Sequence, residues 1–157
     1  MTVQSVMSDE RRHPVLEAIR HSPIATVVSD PTQPDNPLIA VNEAFCALTG
    51  YQENEILGKN CRFLRGPDTE NGQTQKLRDG IFHHKPTLAE LVNYRKDGSP
   101  FRNAVMIAPM FDDDGKIEYY VGSQIEILPN EESIAVVRQQ QAVEIVDRLS
   151  PRQREIL

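Results

Sequence analysis

The chain has 157 residues, of which 39% are hydrophobic, and a formal net charge of -6 at pH 7. This size fits one domain with an extension, and the mixed composition is unlike that of a disordered protein. A nucleic-acid-binding surface across the whole domain would usually be basic, so the negative charge argues against one. Two cysteines, Cys46 and Cys61, do not make a disulfide framework.

The sequence predicts neither a signal peptide nor a membrane helix. It lacks a positively charged start followed by an apolar run, and no stretch approaches the roughly 20 apolar residues of a membrane span. We therefore expect a soluble, reduced, cytoplasmic protein without a membrane partner. The four histidines show no metal-like spacing with the cysteines, so no metal site is expected.

Residues 1–22 are predicted to be an N-terminal flanking segment that contains a short amphipathic helix. Leu16 and Ile19 belong to the apolar face of that helix. Two short strands are expected next, at 24–29 and 38–41, with a turn-rich loop between them.

Helix signals follow the second strand. Asn42 can cap a helix that Gly50 would end, and Cys46 on this helix is expected to lie in the core. A short helix at 53–57 leads into the Cys61 segment.

A longer helix is expected to start at Thr69 or Asn71 and to reach about residue 83. Leu77, Arg78 and Ile81 lie on one stripe of that helix. A charged residue on a buried stripe needs a partner. The Arg78 side chain can either reach solvent or bind a ligand phosphate.

An antiparallel meander of three strands is predicted for the rest of the core, at 88–95, 101–110 and 117–128. Asp97-Gly98 and Asp114-Gly115 are strong signals for the two hairpin turns between them.

One face of each of these strands is mainly apolar and carries one carboxamide, when the strand is followed at a period of two. The three amides are those of Asn93, Asn103 and Gln124. They can satisfy one another, or they can bind a ligand whose edge alternates donors and acceptors. The pyrimidine edge of a flavin has that alternation.

The opposite face of the predicted sheet is also apolar, so it needs a cover. Residues 129–149 are predicted to form a C-terminal linker helix, either docked on this face or paired with a second chain. Residues 150–157 open with Ser150-Pro151, which is typical of a helix start. They resemble the start of a LuxR-type helix-turn-helix effector, and the alternative is an amphipathic tail.

The stretch 58–66 places a thiol between an amide and an arginine, with a second arginine further on. If this stretch is helical, Cys61 and Arg65 share one face, since residues four apart are neighbours on a helix. Guanidinium groups beside a thiol point to a small anionic ligand such as a phosphate. The alternative is an inert buried cysteine.

The seven residues Asn-Cys-Arg-Phe-Leu-Arg-Gly at 60–66 resemble the Asn-Cys-Arg-Phe-Leu-Gln-Gly signature of LOV domains. These domains are the flavin-binding, blue-light-sensing branch of the PAS superfamily. The resemblance extends over about 22–127, with family blocks in family order that include 34–37, 42–50, 93–98 and 122–124.

This resemblance implies an α+β protein with the PAS fold, in which helices pack over one face of a five-stranded antiparallel sheet. The core would span 23–128, with flanking helices before and after it. It further implies that FMN binds non-covalently in the dark.

The resemblance also implies roles for individual residues. Cys61 would be the photoactive thiol, and Arg62 and Arg78 would hold the phosphate. The residues expected to bind the cofactor are Val27, Asn60, Cys61, Arg62, Leu64, Arg65, Leu77, Arg78, Ile81, Asn93, Asn103, Val105, Ile107, Gly122 and Gln124. The chain departs from the family at Arg65, where glutamine is usual, at Val105, where a larger aromatic is common, and at Ala25, where some members carry a polar residue.

The implied function is that of a blue-light photoreceptor sensor domain, without enzyme activity. Cys61 and flavin C4a would form a reversible adduct, and protonation of N5 would make Gln124 re-pair. The change would pass through the sheet to the flanking helices, which would control an effector or dimerisation. The implied partners are FMN, a second copy of the chain in at least one state, and a C-terminal effector, with transcription regulation in a longer parent.

Three other functions compete with this one. The chain could be a PAS ligand-binding or protein-interaction module without photochemistry. It could be a thiol-dependent enzyme or redox switch centred on Cys61. It could be a DNA-binding regulator, although a helix-turn-helix needs a second helix that these 157 residues do not supply.

Overall fold

The computed structural model describes residues 14–129. Its helices are α1 (Pro14–Arg20), α2 (Glu43–Thr49), α3 (Glu53–Ile56), a 3-10 helix (Cys61–Leu64) and α4 (Asn71–Phe82). Its strands are β1 (Ala25–Ser29), β2 (Leu38–Val41), β3 (Thr87–Tyr94), β4 (Pro100–Phe111) and β5 (Ile117–Ile127). Apart from residue 129, the expected linker helix at 129–149 lies outside the described residues, as does the expected effector start at 150–157.

The five strands form one sheet in the order β2-β1-β5-β4-β3, and every neighbouring pair is antiparallel. The predicted fold class is therefore confirmed. The helices between β2 and β3 pack over the inner face of this sheet, where Phe45, Ile56 and Leu64 join a core with Val27 of β1.

Local chemistry explains where α2 begins and ends. The Asn42 Oδ1 accepts a hydrogen bond from the backbone N–H of Phe45 at 3.0 Å, which satisfies one free donor of the first turn. Gly50 ends the helix at a φ of 80°, a left-handed conformation that costs glycine little. Both predicted signals are confirmed.

The helix α4 begins at Asn71, one of the two expected starts, and its cap is Glu70. The Thr69 hydroxyl donates to the carbonyl of Val92 at 2.6 Å. Two local expectations were wrong. Cys46 is half-buried, and the buried residues of α2 are Phe45 and Thr49.

The second concerns the Cys61 segment, which is a 3-10 helix with about three residues per turn. Arg65 follows it in an extended conformation, with a ψ of 152°. The face shared by i and i+4 residues therefore does not exist here.

The outer face of the sheet is covered in part by α1. Leu16 and Ile19 of this helix pack against Val28, Ile39 and Ala40. Val28 pairs with Ala40 and Ser29 pairs with Leu38, so Ile39 is an extra residue in β2. Such a bulge lets two successive residues oppose one residue on the partner strand. Here the side chains of both Ile39 and Ala40 join the cluster under α1.

Candidate functional site

A cavity of about 620 Å³ lies between the inner face of the sheet and the helices. Ligand sites usually occupy about 300–1,000 Å³, so the cavity is large enough for a cofactor. Its walls come from β1, the loop after β1, the 3-10 helix, α4 and the three C-terminal strands.

Fourteen of the fifteen predicted cofactor-binding residues line this cavity. They are Val27, Asn60, Cys61, Arg62, Leu64, Arg65, Leu77, Arg78, Ile81, Asn93, Val105, Ile107, Gly122 and Gln124. The fifteenth, Asn103, is fully buried and hydrogen-bonds to two of the others. The sequence therefore identified residues that the fold brings together from six separate segments.

Other lining residues were missed by sequence reasoning. They are Ser29, Pro31, Gln33, Asp35, Asn36, Leu38, Thr74, Leu91 and Tyr120. Leu91 and Tyr120 were on the correct strand faces, and Thr74 precedes Leu77 and Arg78 by three and four residues on α4. Periodicity could have found these three. No local pattern indicated that the loop after β1 would reach the site.

Cys61 lies at the start of the 3-10 helix, with part of its surface facing the cavity. Burial raises the pKa of its thiol to about 12, while the hydrogen bond with the Gln124 side chain and the charge of Arg65 act in the opposite direction. The residue as a whole is half-buried, but protein surrounds its thiol group. Cys61 is therefore a protonated thiol at neutral pH.

A chain of buried amides crosses the inner face of the sheet beside Cys61. The Asn103 Nδ2 donates to the Gln124 Oε1 at 2.8 Å and to the Asn93 Oδ1 at 2.9 Å. The Asn93 Nδ2 donates to the carbonyl of Leu64 at 3.2 Å, at the end of the 3-10 helix. The Asn103 Oδ1 is buried and has no hydrogen-bond partner among residues 14–129. A ligand N–H would satisfy this oxygen, which is costly to leave unpaired.

Three arginines gather at the exposed end of the cavity. Arg65 and Arg78 are exposed side chains, and Arg62 is 52% exposed. Burial, followed by the like charges of Arg78 and Arg62, lowers the pKa of Arg65. A bound anion would relieve that repulsion, because guanidinium forks suit phosphate oxygens.

Arg62 already has an anionic partner in this cluster. Its Nη1 donates to the Asp35 Oδ1 at 2.9 Å, and its Nη2 pairs with the Asp35 Oδ2. The same hydrogen-bonded pair lowers the pKa of Asp35 and raises that of Arg62. Asp35 is thus a carboxylate at the cavity mouth, where sequence reasoning expected arginines alone.

The donor set of the cavity fits a phosphorylated flavin. The unpartnered Asn103 Oδ1 can accept from a ring N–H, and the three-arginine cluster can face a phosphate. Gly122 has no side chain, so the cavity wall is flat at this position. A Cβ there would lie only 3.1 Å from the Val27 Cγ2. Apolar side chains of Leu64, Val105 and Ile107 supply surfaces for a ring.

Neither a metal-ion site nor a membrane-spanning helix is found within residues 14–129. No cluster of three or more His, Cys, Asp or Glu side chains could hold a metal ion there. None of the described helices is long and apolar enough to cross a membrane.

Comparisons with known proteins agree with this geometry. A family profile described as a PAS domain matches residues 23–128. The chain is 50% identical over 112 residues to blue-light-activated histidine kinase 1 of Erythrobacter litoralis, covering 71% of this chain and 31% of the kinase. It is 36% identical over 127 residues to the bacterioopsin transcriptional activator of Halobacterium salinarum, covering 81% of this chain and 19% of the activator. The chain thus spans less than a third of either relative.

A solved structure resembles the fold throughout. It comes from a study of a flavin analogue and the mechanism of a light-oxygen-voltage domain, and it superposes with a TM-score of 0.74 at 36% identity. The match covers 84% of this chain and 97% of that one.

Proposed function

The chain belongs to the PAS family and, within it, to the LOV domains, and from this premise we propose that it is a blue-light sensor domain that binds FMN. The observation that carries the proposal is the placement of a protonated thiol, three amides and three arginines around one cavity. Each group matches a part of the cofactor: a reactive ring carbon, a polar ring edge and a phosphate.

The site residues would hold FMN in one orientation. Asn93 and Gln124 would face its polar ring edge from the buried end of the cavity, with Asn103 hydrogen-bonded to both, and arginines would face its phosphate from the exposed end. The apolar walls exclude water from the ring. When bound, FMN supplies absorption of blue light, a carbon (C4a) that accepts a thiol reversibly, and a nitrogen (N5) that changes from hydrogen-bond acceptor to donor on taking up a proton.

Cys61 would be the residue that bonds to the flavin after illumination. Because its pKa is raised to about 12, the side chain carries a proton in the dark. This proton would pass to N5 as the sulfur bonds to C4a, and it would return to the sulfur when the bond breaks. No substrate is consumed, so the domain acts as a reversible switch and not as an enzyme.

Gln124 passes the change to the sheet. An amide that faces a new donor can rotate and present its oxygen instead of its nitrogen. Rotation takes the Gln124 Oε1 away from the Asn103 Nδ2, which now holds it at 2.8 Å. Asn103, whose Nδ2 would lose this acceptor, can answer by rotating too. The response therefore involves linked amides on β3, β4 and β5.

The output lies in the flanking segments. We propose a division into an N-terminal flank (1–22), the LOV core (23–128), a linker helix (129–149) and the start of an effector (150–157). Release of the linker, or dimerisation through it, would regulate an effector, which could be a DNA-binding domain in a longer cytoplasmic protein. The similarity to a transcriptional activator supports transcription regulation as the output.

Absorbance before and after blue light tests this function. We expect the purified protein to be yellow, to bleach under blue light and to recover in the dark. Cys61→Ala should bind the flavin but fail to bleach, because it lacks the sulfur, whereas Cys46→Ala should behave as wild type. A colourless protein, or a yellow one that ignores light, would instead support a PAS ligand-binding or interaction module without photochemistry.

A further inference from the structure

The ring of Tyr94, the last residue of β3, lies against the backbone of Gly66, two residues after the 3-10 helix that carries Cys61. A Cβ at position 66 would overlap the Tyr94 Cε2 and Cδ2 and would lie 2.9 Å from its Cγ. Non-bonded carbon atoms prefer a separation of about 3.5–4.0 Å. Glycine is therefore the residue that lets the backbone approach this ring so closely.

The Tyr94 side chain is held at both of its ends. At the Cα end, Tyr94 pairs with Pro100 across the hairpin between β3 and β4. At the other end, its hydroxyl oxygen accepts a hydrogen bond from the backbone N–H of Asp68 at 2.9 Å. The ring cannot swing away from Gly66 without losing this hydrogen bond. A larger side chain at position 66 would therefore displace the backbone around it.

The backbone around Gly66 forms a closed turn that is also fixed to β3. The Thr69 N–H donates to the Gly66 carbonyl at 3.1 Å, and the Gly66 N–H donates to the Thr69 Oγ1 at 2.9 Å. The Thr69 hydroxyl in turn donates to the carbonyl of Val92 at 2.6 Å. The 3-10 helix ends two residues before this turn, so its position depends on where β3 holds the turn.

We propose that Gly66 and Tyr94 are positioning residues that set the distance between the Cys61 sulfur and the flavin ring. The proposal rests on the proposed flavin chemistry at this cavity. The part of the cavity wall that residues 14–129 form includes neither Gly66 nor Tyr94, so both act through the Cys61 segment. Bond formation requires reacting atoms about 3–3.5 Å apart, and a misplacement of about 1 Å can slow it about 100-fold. Because the turn lies closer to β3 than a residue with a Cβ would allow, the contact places the sulfur as well.

Gly66→Ala tests this placement because its methyl group would overlap the Tyr94 ring. We expect the variant to bind FMN and to bleach at least about tenfold more slowly than wild type under a fixed, limiting intensity of blue light. A second measurement needs no light. In a Cys46→Ala background, iodoacetamide should modify Cys61 faster in the dark when Gly66→Ala is added, because displacement of the segment opens the packing around the thiol. Absorbance gives the bleaching rate, and mass spectrometry gives the alkylation rate.

Gly72→Ala is the matched control for the change from glycine to alanine. Gly72 lies in the first turn of α4, and a Cβ there would meet nothing within 4 Å. This variant should bleach and be alkylated as wild type. Tyr94→Phe keeps the ring and removes only the hydroxyl group, so it should stay close to the wild-type bleaching rate.

The double variant Gly66→Ala with Tyr94→Leu separates placement from general damage. Tyr94→Leu alone removes the ring and should slow bleaching, because the turn loses its support. In the double variant, the added methyl group occupies part of the space that the ring leaves. This variant should therefore bleach faster than Gly66→Ala alone, whereas two independent defects would make it slower.

Equal bleaching rates in Gly66→Ala and Gly72→Ala would overturn the proposal, as would equal alkylation rates of Cys61 in the two variants. A double variant no faster than Gly66→Ala would overturn it too. If Gly66→Ala fails to bind FMN, Tyr94→Leu carries the test, and a wild-type bleaching rate in that variant overturns the proposal. A wild-type protein that does not bleach would overturn the proposed function itself, which distinguishes the two failures.

Discussion

Under the proposed function, Cys61 reacts only after light has excited the flavin. Its thiol is held protonated inside the protein, with a pKa raised to about 12 by burial. Catalytic cysteines show the reverse, because a depressed pKa gives them a standing thiolate. The residue is thus protected from electrophiles in the dark.

Dark alkylation measures this protection. In a Cys46→Ala background, we expect iodoacetamide to modify Cys61 slowly at neutral pH. The rate should still rise about tenfold per pH unit above pH 9.0, the ordinary thiol pKa, where the rate of an unshifted thiol levels off. Mass spectrometry after quenching gives the rate. Rapid modification at neutral pH would favour a thiol-dependent enzyme or redox switch.

The raised pKa of Cys61 also has a consequence for the stability of the fold. Between pH 9.0 and about 12 the unfolded chain releases the Cys61 proton while the folded chain keeps it. The free energy of unfolding should therefore fall as the pH rises through this window. The part of the fall due to Cys61 should be missing from Cys61→Ala.

At the scale of elements, Asn42 ties three pieces of the chain together and is only 3% exposed. Its Oδ1 accepts from the N–H groups of Phe45 in α2 and Thr26 in β1, both at 3.0 Å. Its Nδ2 donates to the carbonyls of Ile19 in α1 and Ile24 before β1, both at 2.8 Å. One amide thus caps one helix and fastens another.

Two substitutions of Asn42 separate these tasks. Asn42→Ala loses these four hydrogen bonds and a longer one to the Ser22 carbonyl, and it should lower the free energy of unfolding by about 2–4 kcal/mol in a denaturant titration. Asn42→Asp keeps the oxygen that caps α2. Its second oxygen would replace Nδ2 and would repel the carbonyls of Ile19 and Ile24. Amide exchange should therefore rise in α1 while α2 stays protected. Equal protection of α1 in wild type and Asn42→Asp would show that Nδ2 does not hold this helix.

Short-range signals predicted most of these elements. The hairpin turns Asp97-Gly98 and Asp114-Gly115 place glycines at φ of 87° and 78°, and the alternation of each strand then fixed which residues face inward. The hydrogen bond from the N–H of Val92 to the Glu70 carboxylate, 22 residues away, was missed. The Asp35–Arg62 pair was missed as well. Local patterns carry no information on which distant loop meets which helix.

At the scale of the whole molecule, β5 has side chains on both faces of the sheet. Gln124 faces the cavity from β5, and its neighbour Ile125 points to the outer face, where it is 38% exposed. The α1 helix covers that outer face at β1 and β2. A rearrangement of inner amides can therefore change the strand on which outer segments pack. A coupling of about 1–3 kcal/mol suffices for a useful population shift.

Gln124→Leu tests this coupling because it removes the amide and keeps a similar volume. We expect the variant to bleach under blue light as wild type does, yet to show a much smaller light-induced change in amide exchange on the outer face. Cys61→Ala is the matched control, which should neither bleach nor respond. A light response equal to wild type in Gln124→Leu would show that the signal leaves by another route.

The pairing of β1 with β5 brings the two limits of the core together. Ala25, the first residue of β1, lies opposite Gln124, three residues from the last residue of β5. Directly opposed residues of antiparallel strands have Cα atoms about 4.5–5.5 Å apart. The core can thus be spliced into a surface loop of a host protein with little stretching of that loop. A host joined in this way would feel any light-driven shift of β5 at both of its junctions at once.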